Sequence, residues 1–207
     1  MSITAAEANR IKQAPAVEGV LPAVLGRWSA RAFAPRPVAE ADLTRIFEAT
    51  RWAASAYNEQ PWRFLVGFAG DDTHRKLAAS LIEFNRAWAS SAPVLILGLA
   101  KRTFTHNDTP NDWAMYDLGA ATATLTIQAA ALGLTTHTMA GYDHQGARTT
   151  LGIPDDYLTG AVIALGHQGE PEQLGHEKLL ELETSARTRK PLEELVFTSW
   201  GKPAQLG

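Results

Sequence analysis

A chain of 207 residues with 45% hydrophobic and 20% charged residues can bury a sizeable core, which excludes a disordered tail protein. Its net charge of −3 gives no overall pull toward nucleic acid or an anionic bilayer. The absence of cysteine removes disulfides, thiolate metal sites, iron–sulfur clusters and cysteine nucleophiles together.

The N-terminus is polar where a secretory signal needs an apolar stretch, and no apolar run is long enough to span a bilayer. The expectation is a cytoplasmic protein without membrane contact, organised as one domain over 1–207, since no repeat or Ser/Gly/Pro linker divides it. In chain order, a helical stretch at Glu18–Gly26 leads into Arg27-Trp28-Ser29-Ala30-Arg31, and Pro35 and Pro37 then break the chain. Glu40 and Asp42 open a helix with Leu43, Ile46 and Phe47 on its apolar side, ending near Ala54. The aromatic and β-branched run Trp62–Phe68 predicts a strand. One long amphipathic helix is expected over Thr73–Ser90, with Leu77, Leu81 and Trp88 facing inward. Pro93 introduces a buried strand at Val94–Leu97. A helix rich in small residues is expected over Asp112–Leu132, stopped by Gly133. Strands at Leu134–Met139 and Gly160–Gly166 flank a helix at Gln145–Leu151. Strands separated by helices indicate a layered fold of α and β elements. The tail from Ser185 to Gly207 mixes basic, aromatic and proline residues with no helix of its own, a composition suited to packing on another surface.

The common catalytic fingerprints are missing. There is no G-x-G-x-x-G, no G-x-x-x-x-G-K-[ST] and no G-x-S-x-G, and the six histidines lack metal-ligand spacing. Two features remain. Arg27 with Arg31, and Arg187 with Arg189, are each spaced to converge on one anion, and the planar guanidinium fork suits phosphate. The alternative is solvated surface charge, and the residues alone leave both open. The run Ser55-Ala56-Tyr57-Asn58-Glu59-Gln60-Pro61-Trp62 offers directed donors and acceptors before a proline-fixed exit, although a capped helix-to-strand turn accounts for the same residues.

Taken together and in order, several segments resemble the nitroreductase family over nearly the whole chain. Arg27–Phe33 is similar to its R-x-S-x-[RK]-x-F element, and Trp52–Trp62 to its W-A-P-S-x-x-N-x-Q-P-W element. Asn85–Trp88 before Ala92-Pro93-Val94, Tyr116–Ala121, Ala129–Leu134, Ile163–Gly166 and Arg187–Leu192 resemble further family segments in the right order.

The resemblance implies an α+β fold: a mixed central sheet flanked by helices, in a homodimer with a domain-swapped C-terminal tail. It also implies FMN at the subunit interface and NADH or NADPH as reductant. Arg27, Trp28, Ser29, Arg187 and Arg189 would then lie at the phosphate and ribityl end, and Arg31 by the N1/O2 edge of the ring. Ser55, Ala56 and Asn58 would come from the other subunit. Met139, Ala140 and Gly141 would lie along the ring, and Asn85 at its pyrimidine edge. No catalytic side chain and no metal is implied, since the flavin carries the hydride. The implied activity is ping-pong reduction of nitroaromatic, quinone or similar small acceptors. Reductive dehalogenation, heterocycle oxidation or non-catalytic flavin binding are alternatives on the same scaffold, and nucleic acid is not an expected partner. Trp113 or Phe104 could stack on substrates, with ordinary loop packing as the simpler reading. Three departures bear on redox potential and substrate: Ala54 where the family often has proline, Trp28 where it often has a polar or basic residue, and no lysine following Asn85.

Overall fold

Thr4 and Glu7 cap each other's backbone N–H groups, at 3.2 and 2.8 Å, and so start a helix that the sequence expectations did not include. The structure, a computed structural model, describes residues 3–206, so the ends of the expected 1–207 unit, Met1, Ser2 and Gly207, lie outside the described residues. The elements in chain order are α1 (Ala5–Lys12), α2 (Pro22–Gly26), α3 (Glu40–Thr50), β1 (Trp62–Phe68), α4 (Asp72–Ser80) and α5 (Glu83–Ala89). There follow β2 (Val94–Lys101), α6 (Ala114–Ala131), β3 (Thr135–Met139), α7 (His144–Leu151), β4 (Tyr157–Gly166) and α8 (Glu177–Thr184). A terminal hairpin of β5 (Phe197–Ser199) and β6 (Lys202–Pro203) completes the chain.

Several boundaries depart from expectation. α2 starts only at Pro22, where the missing N–H costs nothing, and α3 stops at Thr50. β2 runs on to Lys101, and β4 begins three residues early, at Tyr157. The single helix expected over Thr73–Ser90 is two helices. Leu81 and Ile82 are extended between them, because Leu81 bridges to Tyr142 and the Ile82 N–H donates to the Gly141 carbonyl at 3.2 Å. Asp71 caps the first of the two by accepting from the His74 N–H at 2.7 Å. That helix lies directly on β1 at Gly67, where a Cβ would come 2.4 Å from the His74 nitrogen. Gly133, at φ +73°, follows α6 as foreseen.

The class is α+β, a sheet with helices on both faces. The strand order is β1-β2-β4-β3, and each pairing within the chain is antiparallel, not mixed as expected. The connection through α6 does leave β2 and β3 pointing the same way. It leaves a gap of one strand between them, and β4 fills that gap in the opposite direction. Alternation along β2 and β4 sends Leu95, Leu97, Val162 and Ala164 toward Leu77, Trp88 and Leu179 on one face. Val94, Ile96, Ile163 and Leu165 meet Leu43, Ile46, Leu125 and Ala129 on the other. Burial on both sides explains why β2 reads as a continuous apolar run. Among the described residues, no helix is long and apolar enough to cross a membrane.

Candidate functional site

Five cations gather where α2, α8 and the strand of chain after Gly26 meet. The Arg187 guanidinium donates to the carbonyl oxygens of Leu25 and Arg27, the latter at 2.6 Å, and so caps the end of α2. Arg27 sits close enough to Arg187 and Arg189 to feel their charge. Burial holds the Arg27 proton affinity below its ordinary value, and Arg189 lowers it further. Burial depresses Arg187 in the same way, aided by Arg189 and Arg27. Among the described residues, no ion pair involves Arg27, Arg187 or Arg189. Lys12 donates from Nζ to the Leu182 carbonyl at 2.7 Å, and burial lowers its proton affinity too.

Arg31 completes the group. Its guanidinium lies 4.0 Å from Glu183, a wholly buried carboxylate, and 5.9 Å from the Trp88 ring centroid, while its Nε is buried without a partner. Trp28 has a packing role besides the one implied. Its ring is buried against Ala8 and Ala30, its Nε1 donates to Asn9 at 2.7 Å, and Lys12 lies over it at 5.1 Å. Its side chain therefore anchors α1, and Ser29 beside it is half-buried.

From Arg31 the contacts run to a second group. Trp88 packs on His137 with centroids 4.5 Å apart, and His137 Nδ1 lies 3.1 Å from the Ala30 carbonyl oxygen. Burial, then the charges of Arg31 and Arg27, push the His137 pKa down to about 4, so the ring is neutral. Trp88 lies one turn beyond Asn85 on α5, and His137 lies two residues before Met139 on β3. These two elements converge at Gly141, whose carbonyl accepts from Asn85 Nδ2 at 3.0 Å. A Cβ on Gly141 would come within 2.8 Å of Asn85 Nδ2 and 2.7 Å of Ile82 Cδ1, so a larger residue here would push those side-chain ends aside. Met139 faces the core, and Ala140 is exposed.

The third predicted segment lies elsewhere in the chain. Ser55 Oγ accepts from the Gln60 N–H at 3.0 Å, and the Ala56 N–H donates to Asp117 in the first turn of α6 at 3.1 Å. Tyr57, Asn58 and Gln60 all adopt left-handed backbone, at φ of +52°, +55° and +50°. Such a conformation is disfavoured for residues with a Cβ, and its repetition marks a loop held by its surroundings. Phe104 is buried edge-on beneath Tyr57, with centroids 5.7 Å apart, which settles it as packing; Tyr57 on top of it is exposed. Trp113 is exposed and sits edge-on to Tyr116.

A cleft of about 720 Å³ opens between α2 and the last turns of α6. Arg27 and Trp28 form part of its wall, with Gln128, Thr136 and Gln168, and none of the other predicted residues does. Thr136 Oγ1 and Gln168 Nε2 are buried there without partners. Sequence reasoning missed Lys12, His137 and Glu183. Glu183 lies four residues after Leu179 on the buried side of α8, a face that sequence reasoning did not resolve. Among the described residues, no group of three His, Asp or Glu side chains is placed to hold a metal ion.

A cluster of cations beside a cleft, on an antiparallel α+β sheet, defines a layered α+β protein with a candidate anion site. The sequence profile of the Nitroreductase family matches residues 24–90 and 83–167, and the chain belongs to that family. A solved structure described as an oxidoreductase containing FMN is 31% identical, with a TM-score of 0.82, covering 89% of this chain and 94% of its own. A Desulfovibrio desulfuricans protein solved in complex with FMN is 28% identical, with a TM-score of 0.69, over 89% of this chain and 98% of its own. An NADH dehydrogenase of Thermus thermophilus is 28% identical over 190 residues, 77% of this chain and 91% of the relative.

Proposed function

We propose that this chain is an FMN-dependent NAD(P)H oxidoreductase that works as a homodimer. The observation that carries the reading is the convergence of Arg27, Arg31, Arg187 and Arg189 on one surface with a single, fully buried carboxylate among them. Such a group is costly to hold together without an anion. A phosphate dianion meets that need, and the unpartnered Arg31 Nε shows donor capacity left over. The FMN in related solved structures and the NADH named for the Thermus relative support the same assignment.

Arg27 and Arg189 would hold the phosphate, and Arg187 would fix the backbone that carries Arg27 while lending its remaining donors. Arg31 would place positive charge where the ring gains electron density on reduction. Asn85 and the Gly141 backbone would orient the ring edge, and the Trp88–His137 pair would keep water from beneath Arg31. Bound FMN supplies the hydride chemistry that no side chain of the cleft offers. NAD(P)H and a small nitroaromatic or quinone acceptor take turns at one open face, in a ping-pong order.

Distance within the chain supports the homodimer. Asp117, which holds the Ala56 N–H, and Gln128, which shares the cleft wall with Arg27, are eleven residues apart on α6, about 16 Å at the helical rise. One chain therefore keeps its Ser55–Asn58 loop well away from its own cleft. A two-fold axis crossing α6 near its middle would bring the partner's loop to that cleft instead. The outward side of α6 is built for close approach, with Gly119 and Ala123 exposed beside Met115 and Tyr116. The tail supports the same arrangement. From Lys190 to Pro203 every residue is exposed, including Leu192, Leu195 and Trp200, and a two-stranded hairpin is marginal alone. Laid across a second copy, these side chains are buried.

The test is the absorption spectrum of the purified protein after incubation with FMN, followed by initial rates at several concentrations of both substrates. A bound flavin spectrum and parallel double-reciprocal lines are expected. A protein that takes up no flavin would refute the assignment, and intersecting lines would refute the ping-pong order.

A further inference from the structure

Among the described residues, Glu183 is the one acidic group within the cation cluster, and nothing in the proposed cycle uses it. It is 0% exposed, yet it is well satisfied: its oxygens accept from the Arg31 N–H at 2.9 and 3.0 Å and from the Ala32 N–H at 3.1 Å. The same carboxylate lies 4.0 Å from the Arg31 guanidinium. Lys12, held on the Leu182 carbonyl next door, contributes a second favourable charge. A carboxylate this deep carries a large desolvation penalty, which the hydrogen bonds and neighbouring cations offset only in part. The core around it would be simpler to build with leucine, as its helical neighbour Leu179 shows.

Resting on the FMN reading, we infer that Glu183 is a positioning and charge-setting residue for Arg31. It holds the backbone on which Arg31 sits and cancels part of the guanidinium charge that would face the flavin ring. The geometry separates these two effects. The two N–H bonds fix where Arg31 starts, through backbone that any Arg31 variant retains. The 4.0 Å approach to the guanidinium governs how much net positive charge the Arg31 side chain presents. Reduced flavin carries more negative charge than oxidised flavin, so a partly neutralised Arg31 favours reduction less than a bare one. Glu183 thereby keeps the bound cofactor a stronger reductant toward its acceptors.

The experiment is the two-electron potential of FMN bound to the full-length protein, measured by dye equilibration, for wild type, Glu183→Gln, Arg31→Gln and the double variant. Glu183→Gln keeps an oxygen for the backbone N–H groups and removes the charge. It should raise the preference for reduced over oxidised FMN about tenfold, a shift of about +30 mV for a two-electron couple. In the Arg31→Gln background the same change should shift the potential by less than half as much, because the charge it offsets is gone. An unchanged or lowered potential in Glu183→Gln, with FMN bound, would overturn the inference and leave the FMN reading standing. An equal shift in both backgrounds would also overturn it. A wild-type protein that binds no FMN would overturn both. Should Glu183→Gln fail to fold, Glu183→Asp withdraws the charge by one methylene and must shift the potential in the same direction.

Discussion

The Arg187 guanidinium donates to the Arg27 carbonyl at 2.6 Å, so the basic element at the end of the chain holds the one at its start. The two arginine pairs, far apart in sequence, thereby become one structural unit. Arg187→Ala should cost about 1–3 kcal/mol of stability through two unpaired carbonyls at the end of α2. It should also lower FMN affinity about tenfold by releasing Arg27. Arg187→Lys, with a single ammonium in place of a fork, should recover little of either. Urea unfolding and flavin fluorescence titration read the two effects separately, and unchanged affinity in Arg187→Ala would remove the link to Arg27.

Arg27 and Arg189 are the cations with least to do inside the chain. Arg189 bonds only the neighbouring Thr188 carbonyl, and the guanidinium is exposed. Replacing both with alanine should leave the fold intact and abolish FMN retention through gel filtration. Full flavin occupancy in that double variant would show that the phosphate is held elsewhere.

His137 makes stability depend on pH. Its folded pKa, about 4, lies below its ordinary value of 6.5, so the neutral ring's contribution is fully present above pH 6.5. As pH falls toward 4, the unfolded chain takes up a proton that the folded chain refuses, and stability drops by about 3 kcal/mol. Glu183 acts in the opposite sense: burial raises its pKa, so its ionisation weakens the fold as pH rises through the raised value. The difference between wild type and His137→Gln isolates the histidine. That difference should shrink by about 3 kcal/mol between pH 7 and pH 4 in urea unfolding. A difference that stays constant across this range would place His137 in solvent rather than under Trp88.

Truncation after Arg189 removes the exposed stretch from Lys190 onward. Light scattering should show the full chain as a dimer and the truncated one shifted toward monomer, with weaker FMN retention because each cleft then lacks the partner's Ser55–Asn58 loop. A truncated chain that remains fully dimeric would leave α6 alone responsible for the interface.

The sequence carried most of the sheet and, by residue type, the arginines of the candidate site. Trp62–Phe68 and the run from Val94 were legible because aromatic, β-branched and continuous apolar segments have few other uses. The break at Leu81–Ile82 was not, because Leu77, Leu81 and Trp88 keep an inward rhythm right through it. Gly141 and Tyr142, about sixty residues on, impose that break through the chain's tertiary contacts. The arginines were legible by type, and only the structure shows that Arg187 is committed to two backbone carbonyls. Glu183 stayed hidden because a glutamate on a short helix reads as solvated surface, and its partners lie some 150 residues earlier. Thr4 and Glu7, by contrast, spelled a capping box that periodicity alone did not register.

The most direct test of the account is an anaerobic titration of the FMN-loaded protein with NADH and with NADPH, followed by visible absorbance. The account predicts loss of the flavin band at about one equivalent of at least one nucleotide, and its return on adding a quinone or nitroaromatic. A flavin band that neither nucleotide bleaches would contradict it, and would leave the arginine cluster as a flavin-holding site without the proposed turnover.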